Sequence, residues 1–360
     1  MRKILFYINT IHFGGAERVM VQLTRRFAGN GYEAVLVTSY PEEKEYTVPE
    51  GVKRICLENE KLSQSKIKRN ITRIRKLRQI CKAEKPHAVI SFMMEPNFRS
   101  LLATMFFPVK RIVSVRNDPN REYAGTLGRL VGKLLLPVAD GCVFQTEDAM
   151  EWFPRKLQKK SQIIPNEVAE EFFKETKKDG KDIIAVGRLS EQKNHPLLIR
   201  AFSKIAEEYP DEKLRIYGEG VLRTSLQELI DSLGLTDRIL LMGTTADVPQ
   251  VLAEGKIFVL SSDYEGMPNC LMEALAVGIP SISTDCPCGG PKMLIQNGEN
   301  GLLVPVGDED ALVDALRALL SDPGYAQRIG QNGKISAAAF QPEQVFSQWK
   351  EFVEKTLITE

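Results

Sequence analysis

Two glutamates, Glu265 and Glu273, stand with seven residues between them in SSDYEGMPNCLMEALAVGIP (261–280), one just before Pro268 and one inside the helix that the proline opens. Proline suits the first helical position, where a missing N–H costs nothing. The amides of Gly266, Met267 and Asn269 around Pro268 would then face an anion at the positive end of the helix dipole. Carboxylates are strong acceptors for sugar and ribose hydroxyls. This spacing therefore suits a phosphorylated sugar: Glu265 on the sugar, Glu273 on the ribose, the phosphates between them. The alternative is a pair of helix-start acids stabilised by the dipole alone.

The cations that such an anion needs lie upstream in AVGRLSEQKNHPLL (185–198). A strand ends at Gly187, and Arg188 and Lys193 occupy the loop before the next helix. Arginine can grip a diphosphate with two nitrogens, and lysine acts as a point charge. His195 follows, and a single histidine there reads as a helix-start residue rather than an acid or base. A second glycine loop, NTIHFGGAERVM (9–20), puts Gly14 and Gly15 after the first strand, where backbone can approach a ligand closely. It lacks the G-x-G-x-x-G spacing of dinucleotide sites, and a tight strand-to-helix turn is the other reading.

These loops need strands behind them, and short β-branched runs recur between helical stretches: 3–8, 33–38, 52–57, 88–92, 111–115 and 141–144, then 182–187, 213–217, 238–242, 256–261 and 280–284. The alternation predicts an α/β chain of two doubly wound domains in tandem, each with a parallel sheet. A charged, weakly patterned stretch at 165–180 reads as the linker. The boundaries expected are 1–165, 166–340 and a last amphipathic helix, 341–360, with Val345, Phe346, Trp349, Phe352 and Val353 on its apolar face.

The net charge of +1 conceals an asymmetry: 29 Lys and Arg stand against 16 Asp and Glu up to residue 165, and the balance reverses beyond it. The first half should meet something anionic. Its most basic segment, 61–85, carries ten basic residues and one acidic, with Ile67, Ile71, Ile74, Leu77 and Cys81 forming a helical stripe. Lys66, Lys68, Arg69, Arg73, Arg75 and Lys76 would project as a solvated face, or as a surface for anionic lipid or a lipid-linked phosphate. No interleaved aromatics offer base stacking, so nucleic acid is not expected. No apolar run reaches the length of a membrane span, and the apolar N-terminus reads as a first strand, since no small-residue cleavage site follows it. The six scattered cysteines suit reduced thiols in the cytosol. Cys286 and Cys288, without a second close pair, do not make a metal site.

Taken together, GGAER, GRLSEQKN, YGEG, EGMPNCLMEA and STDCPCGGPKMLIQNGENGLLVP resemble the retaining glycosyltransferases of family 4 and GT-B fold, particularly bacterial members that extend capsule, exopolysaccharide or lipid-linked oligosaccharide. The resemblance spans nearly the whole chain. It implies two Rossmann-like domains facing across a cleft, with the last helix crossing back to the first domain. It also implies a UDP-sugar co-substrate bound mainly in the second domain, with the acceptor on the first, and no cofactor or metal. Arg188 and Lys193 would neutralise the departing diphosphate, and Glu265 would contact the sugar. Glu273, Gly187, Gly218, Gly266, Met267, Pro268 and Asn269 would hold the rest of the donor. Gly14 and Gly15 would approach the diphosphate or the acceptor.

The resemblance further implies retention of configuration, by front-face attack in which the leaving phosphate oxygen takes the acceptor proton. Many relatives carry a histidine after the fifth strand; here SVRNDPNREY (114–123) offers Arg116 and Asn117 instead, which leaves the sugar open. The leading expectation is a hexosyltransferase that works at the inner face of the plasma membrane. It would be cytoplasmic and peripherally bound to anionic lipid, with a polyprenyl-diphosphate-linked saccharide as acceptor. A nucleotide-sugar epimerase and a non-catalytic nucleotide-sugar binder are the alternatives.

Overall fold

Each of the β-branched runs forms a strand, because a parallel sheet covered on both faces selects short, continuously apolar segments. The structure, a computed structural model, describes residues 1–58 and 65–358. Contacts divide it into two units, Met1–Asn166 with Glu343–Glu360 and Glu167–Pro342. The first holds β1 (Lys3–Ile8), β2 (Glu33–Thr38), β3 (Lys53–Cys56), β4 (Ala88–Phe92), β5 (Lys110–Ser114), β6 (Gly141–Phe144) and β7 (Ser161–Ile163). All are parallel neighbours in the order β3-β2-β1-β4-β5-β6-β7.

The second unit holds β8 (Asp182–Val186), β9 (Lys213–Tyr217), β10 (Ile239–Gly243), β11 (Gly255–Leu260), β12 (Ser281–Thr284) and β13 (Leu302–Val304), parallel in the order β10-β9-β8-β11-β12-β13. In each sheet the chain reverses direction of travel beside its first strand, between β1 and β4 and between β8 and β11. Ligands of such sheets bind at the carboxyl ends of the strands flanking that point. Strands β7 and β13 had no sequence signal. Both are three-residue edge strands.

Helices pack where their apolar spacing demands. In α1 (Gly15–Gly29), Val19, Met20, Leu23 and Phe27 form the buried stripe. Helix α6 (Pro342–Ile358) buries Val345, Phe346, Trp349, Phe352 and Val353 in the core of the first unit, with Trp349 stacked 5.8 Å from Phe92 and Phe346 edge-on to Phe27 at 5.2 Å. The stretch 165–180 is not a loose linker: Val168 and Phe172, the latter in a short helix Glu170–Lys174, are buried in the core of the second unit.

Helix α2 (Lys66–Glu84) departs from the expected pattern at its start. Ser65 caps it, and Leu77 and Cys81 are buried, but Ile67 and Ile71 are exposed. The projecting set also shrinks. Arg73 is buried, its guanidinium paired with Glu58 at 2.7 Å, because its place on the helix faces Glu58 and Tyr40 rather than water. Lys66, Lys68, Arg75 and Lys76 remain exposed, Lys76 also donating to the Leu57 carbonyl, with Arg69 half-buried. No helix among the described residues is long and apolar enough to cross a membrane.

Candidate active site

In the second unit the carboxyl ends of β8 and β11 bring two loops together. After β8, Gly187 donates its N–H to the Tyr217 carbonyl, and Arg188 leaves the sheet with an exposed guanidinium near Gln192. A β-carbon at Gly218 would lie 1.9 Å from the Gly187 oxygen, so the strand ends meet this closely only through glycine. Left-handed Asn194 (φ 41°) caps α4 (His195–Ile205) and turns the chain so that Lys193 points back. After β11, Ser261 donates to the Lys193 carbonyl (2.9 Å), Asn194 to Asp263 (2.7 Å) and the Asp263 N–H to the Gln192 carbonyl (2.9 Å). The two loops are stitched into one surface.

Glu265 sits at its centre. One carboxylate oxygen accepts from Lys193 Nζ at 2.6 Å and from Ser262 at 2.7 Å; the other accepts from Gln192 at 3.4 Å. Both partners of the ion pair are largely buried. Burial pulls the Lys193 ammonium towards neutrality, but Glu265 overcomes it and holds the pKa above the ordinary lysine value. Lys193 is thus tied to Glu265 rather than aligned with Arg188.

Helix α5 (Asn269–Val277) starts one residue later than the sequence predicts, with Pro268 as its cap residue at φ −74° and ψ 107°. Gly266, Met267 and Pro268 are buried beside it, Asn269 is half-buried, and Glu273 is buried on its first turns. Glu265 is fixed from behind as well, its N–H on the Pro287 carbonyl (2.6 Å) and its carbonyl accepting from Cys288 (2.9 Å). The side chains of Cys286 and Cys288 are buried. Among the described residues no group of three or more His, Cys, Asp or Glu side chains is placed to hold a metal.

The first unit presents its own loops at the ends of β1 and β4. Gly14 is extended and caps α1, and Gly15 begins the helix. The carboxylate of Glu17 folds over this turn so closely that a β-carbon at Gly14 would lie 2.3 Å from its Oε2. At the end of β4, α3 (Met94–Ala103) carries Glu95 and Arg99. Arg99 is 1% exposed and donates to Glu95 (2.6 Å), Asn9 (2.6 Å) and Asn70 (2.8 Å).

Arg116 follows β5 and is buried over the Phe92 ring at 4.4 Å, bonded to Asn166 and with Nε lacking a partner. Burial lowers its pKa to about 9. Asn117, half-buried beside it, accepts from the Asp118 N–H.

Residues 13–172 match the sequence model described as Glycosyltransferase Family 4, and residues 167–336 match Glycosyl transferases group 1. The chain belongs to glycosyltransferase family 4. Its relatives include two Campylobacter jejuni enzymes. One, named N-acetylgalactosamine-N,N'-diacetylbacillosaminyl-diphospho-undecaprenol 4-alpha-N-acetylgalactosaminyltransferase, is 29% identical over 94% of this chain and 96% of its own. The other, an alpha-1,4-N-acetyl-D-galactosaminyltransferase named for a longer undecaprenol-linked saccharide, is 25% identical over 98% of both. Among solved structures, HepE of Anabaena in complex with UDP and glucose superposes with a TM-score of 0.83 at 17% identity, over 99% of this chain and 100% of that one. The GT-B fold follows from that likeness.

Sequence reasoning missed several residues of this glycosyltransferase. Gln192 and Ser262, which hold Glu265, carry common polar side chains whose role depends on the loop stitching. Asn9, Glu95 and Arg99 are brought together only by the β1–β4 pairing. A signal for Glu95 did exist: MEPN (94–97) repeats the proline-opened pattern of MPN (267–269).

His195 is buried, its Nε2 3.3 Å from the Arg188 carbonyl. Burial, then Lys193, lowers its pKa to about 4. The folded transferase therefore resists a proton that the unfolded chain accepts near the ordinary histidine pKa of about 6.5. This contribution to stability is complete above that pH and is lost as pH falls towards 4, by about 3 kcal/mol at most. Urea unfolding at pH 7 and pH 5 should show a smaller acid loss in His195→Gln than in the parent; equal losses would refute the assignment.

Proposed function

We infer that this glycosyltransferase moves a hexose or N-acetylhexosamine from a UDP-sugar onto a lipid-linked saccharide, with retention of configuration and without a metal. The observation that carries the donor half is the Lys193–Glu265 ion pair that joins the loops after β8 and β11, with Arg188 on the first loop and Glu273 on α5 after the second. On this reading Arg188 and the amides at the start of α5 grip the diphosphate, and Lys193 lends its charge while keeping Glu265 oriented. Glu265 accepts hydroxyls of the sugar, and Glu273 those of the ribose. Cationic stabilisation of departing UDP supplies most of the rate, because charge develops there in the transition state. A leaving phosphate oxygen takes the acceptor proton, so no protein base is required.

The Campylobacter relatives, named for undecaprenol-linked acceptors, support the acceptor half. Peripheral attachment to an anionic membrane is supported by exposed Lys66, Lys68 and Arg75 beside exposed Ile67 and Ile71 on α2. A second apolar face supports it too: Leu127, Leu130 and Leu134 are exposed at helical spacing, alternating with Arg129 and Lys133. Apolar side chains rimmed by cations suit the headgroup region.

Calorimetric titration with UDP, GDP and ADP tests the donor site: UDP-selective binding, weakened at least tenfold or so in Glu273→Ala by loss of its hydroxyl contacts, is expected. Conversion of the UDP-sugar to its epimer without acceptor would overturn the transfer reading. For the membrane, sedimentation with phosphatidylglycerol vesicles should fall for Lys66→Gln/Lys68→Gln/Arg75→Gln and for Leu127→Ser/Leu130→Ser/Leu134→Ser. Unchanged binding in both would remove that part.

A further inference from the structure

The loop after β5 keeps two ionisable groups out of water with their bonding incomplete. Glu122 closes a short helix, Pro119–Glu122, and its Oε1 accepts the N–H of Met94, the first residue of α3, at 2.5 Å. Although Glu122 as a whole is half-buried, its Oε2 is enclosed and has no partner. The same holds for Nε of Arg116 and for the hydroxyl of Tyr123. Each enclosed polar atom without a hydrogen bond weakens the arrangement that encloses it.

What holds the loop down is specific and sparse. The Asp118 carboxylate accepts the Asn120 N–H at 2.9 Å, the Trp152 indole N–H donates to Asn120 at 2.9 Å, and the Arg116 guanidinium is bonded to Asn166. On the other side of the Glu122–Met94 contact, Met93 has φ 74°, a costly conformation for a residue with a side chain, and its N–H donates to the Ser114 carbonyl at 3.1 Å.

Charge on Glu122 acts on this arrangement in one direction. Enclosure outweighs the Met94 amide and the Arg116 charge, and raises its pKa to about 7. Among the groups around it, the Tyr123 phenol and the Cys142 thiol of β6 are held neutral by burial, and the charged side chains of α3, Glu95 and Arg99, are paired with each other. Arg116 keeps its charge up to about 9. With the loop lifted into water, the Glu122 carboxyl would titrate near its ordinary value of about 4.3. The closed loop is therefore favoured fully below that value, and the preference is lost as pH rises towards 7.

We propose that Glu122 makes the loop after β5 a proton-operated strap: neutral, its carboxyl lies against the start of α3 and the loop is closed; ionised, it leaves for water and the loop lifts, carrying Arg116 and Asn117 to the surface. The strap goes beyond the transfer reading and does not depend on it. It accounts for an arginine that is enclosed over Phe92 at the position where many relatives carry a histidine.

Amide hydrogen exchange of the full chain, followed by mass spectrometry from about pH 5 to about pH 8 and corrected for the intrinsic rate, reads the strap directly. Protection of peptides covering 114–123 and the start of α3 should fall roughly tenfold or more over that range, as the two pKa values require, while peptides from β1 and β2 stay unchanged. Glu122→Gln, a neutral isostere that keeps the acceptor for Met94, should stay closed throughout. Near pH 8 its loop should be better protected than the parent's by the same factor, and near pH 5 the two should match. A parent loop equally protected at both ends of the range would overturn the proposal, and so would a Glu122→Gln loop no better protected than the parent's near pH 8. The Trp152 indole gives a second reading. With isotopically labelled tryptophan, its N–H resonance should titrate in the parent and stay fixed in Glu122→Gln, with Trp349 of the first core as the fixed reference; a Trp152 resonance that titrates alike in both would overturn the proposal as well.

Discussion

Replacing Glu265 by alanine is expected to damage activity and stability together. Turnover should fall by a factor of about 10² to 10³, the range seen when a positioned electrostatic contact is removed. Stability should fall by about 3–5 kcal/mol, because Lys193 would be left in a buried site with its carboxylate partner gone. Lys193→Met/Glu265→Leu separates the two effects. Removing both charges should restore most of the stability, and turnover should stay lost. Urea unfolding and UDP-sugar turnover measured on the same preparations decide it. A double variant as unstable as Glu265→Ala, or Glu265→Ala with parental turnover, would refute the assignment.

The second large effect comes from a methyl group. A β-carbon at Gly290 would lie 1.8 Å from the Gly266 carbonyl oxygen and 3.1 Å from Pro268 Cδ. Backbone atoms cannot rotate away from it, so Gly290→Ala must displace the Glu265–Pro268 loop, an overpacking that costs about 1–3 kcal/mol or somewhat more. UDP affinity should drop by about two orders of magnitude as the start of α5 shifts, a loss near 2.7 kcal/mol. Gly307→Ala is the control. That residue has φ +74° but nothing within 4 Å of an added β-carbon, so only the strain of a left-handed alanine, about 1 kcal/mol, is expected. Equal UDP affinity in the two variants would show that the loop tolerates displacement.

The sequence exposed what depends on local order and concealed what depends on contact across strands. Glu265, Pro268 and Glu273 are legible because a proline-opened helix fixes their relation within a few residues. Arg188 and Lys193 are legible because they follow a strand. The pairing of Lys193 with Glu265 is not, since 72 residues separate them and the loop stitching through Ser261, Asn194 and Asp263 decides it. Arg73 misled for a related reason. Its neighbours on α2 are solvated cations, and only the chain's return past Glu58 shows that it is an interior partner. Strands β7 and β13 escaped because a three-residue edge strand has too few alternating positions to leave a pattern.

The helix α6 has a consequence for how the chain matures during synthesis. The first unit is built from both ends of the sequence, with the whole of the second unit between Asn166 and Glu343. Trp349 and Phe346, which fill the first core, leave the ribosome only after the whole of the second unit. At typical elongation rates of about 5–20 residues per second, the first sheet waits roughly 10–40 seconds with Phe27 and Phe92 uncovered. During that interval the nascent chain offers an apolar groove shaped for a helix, and chaperones or another nascent copy can find it before the chain's own helix arrives.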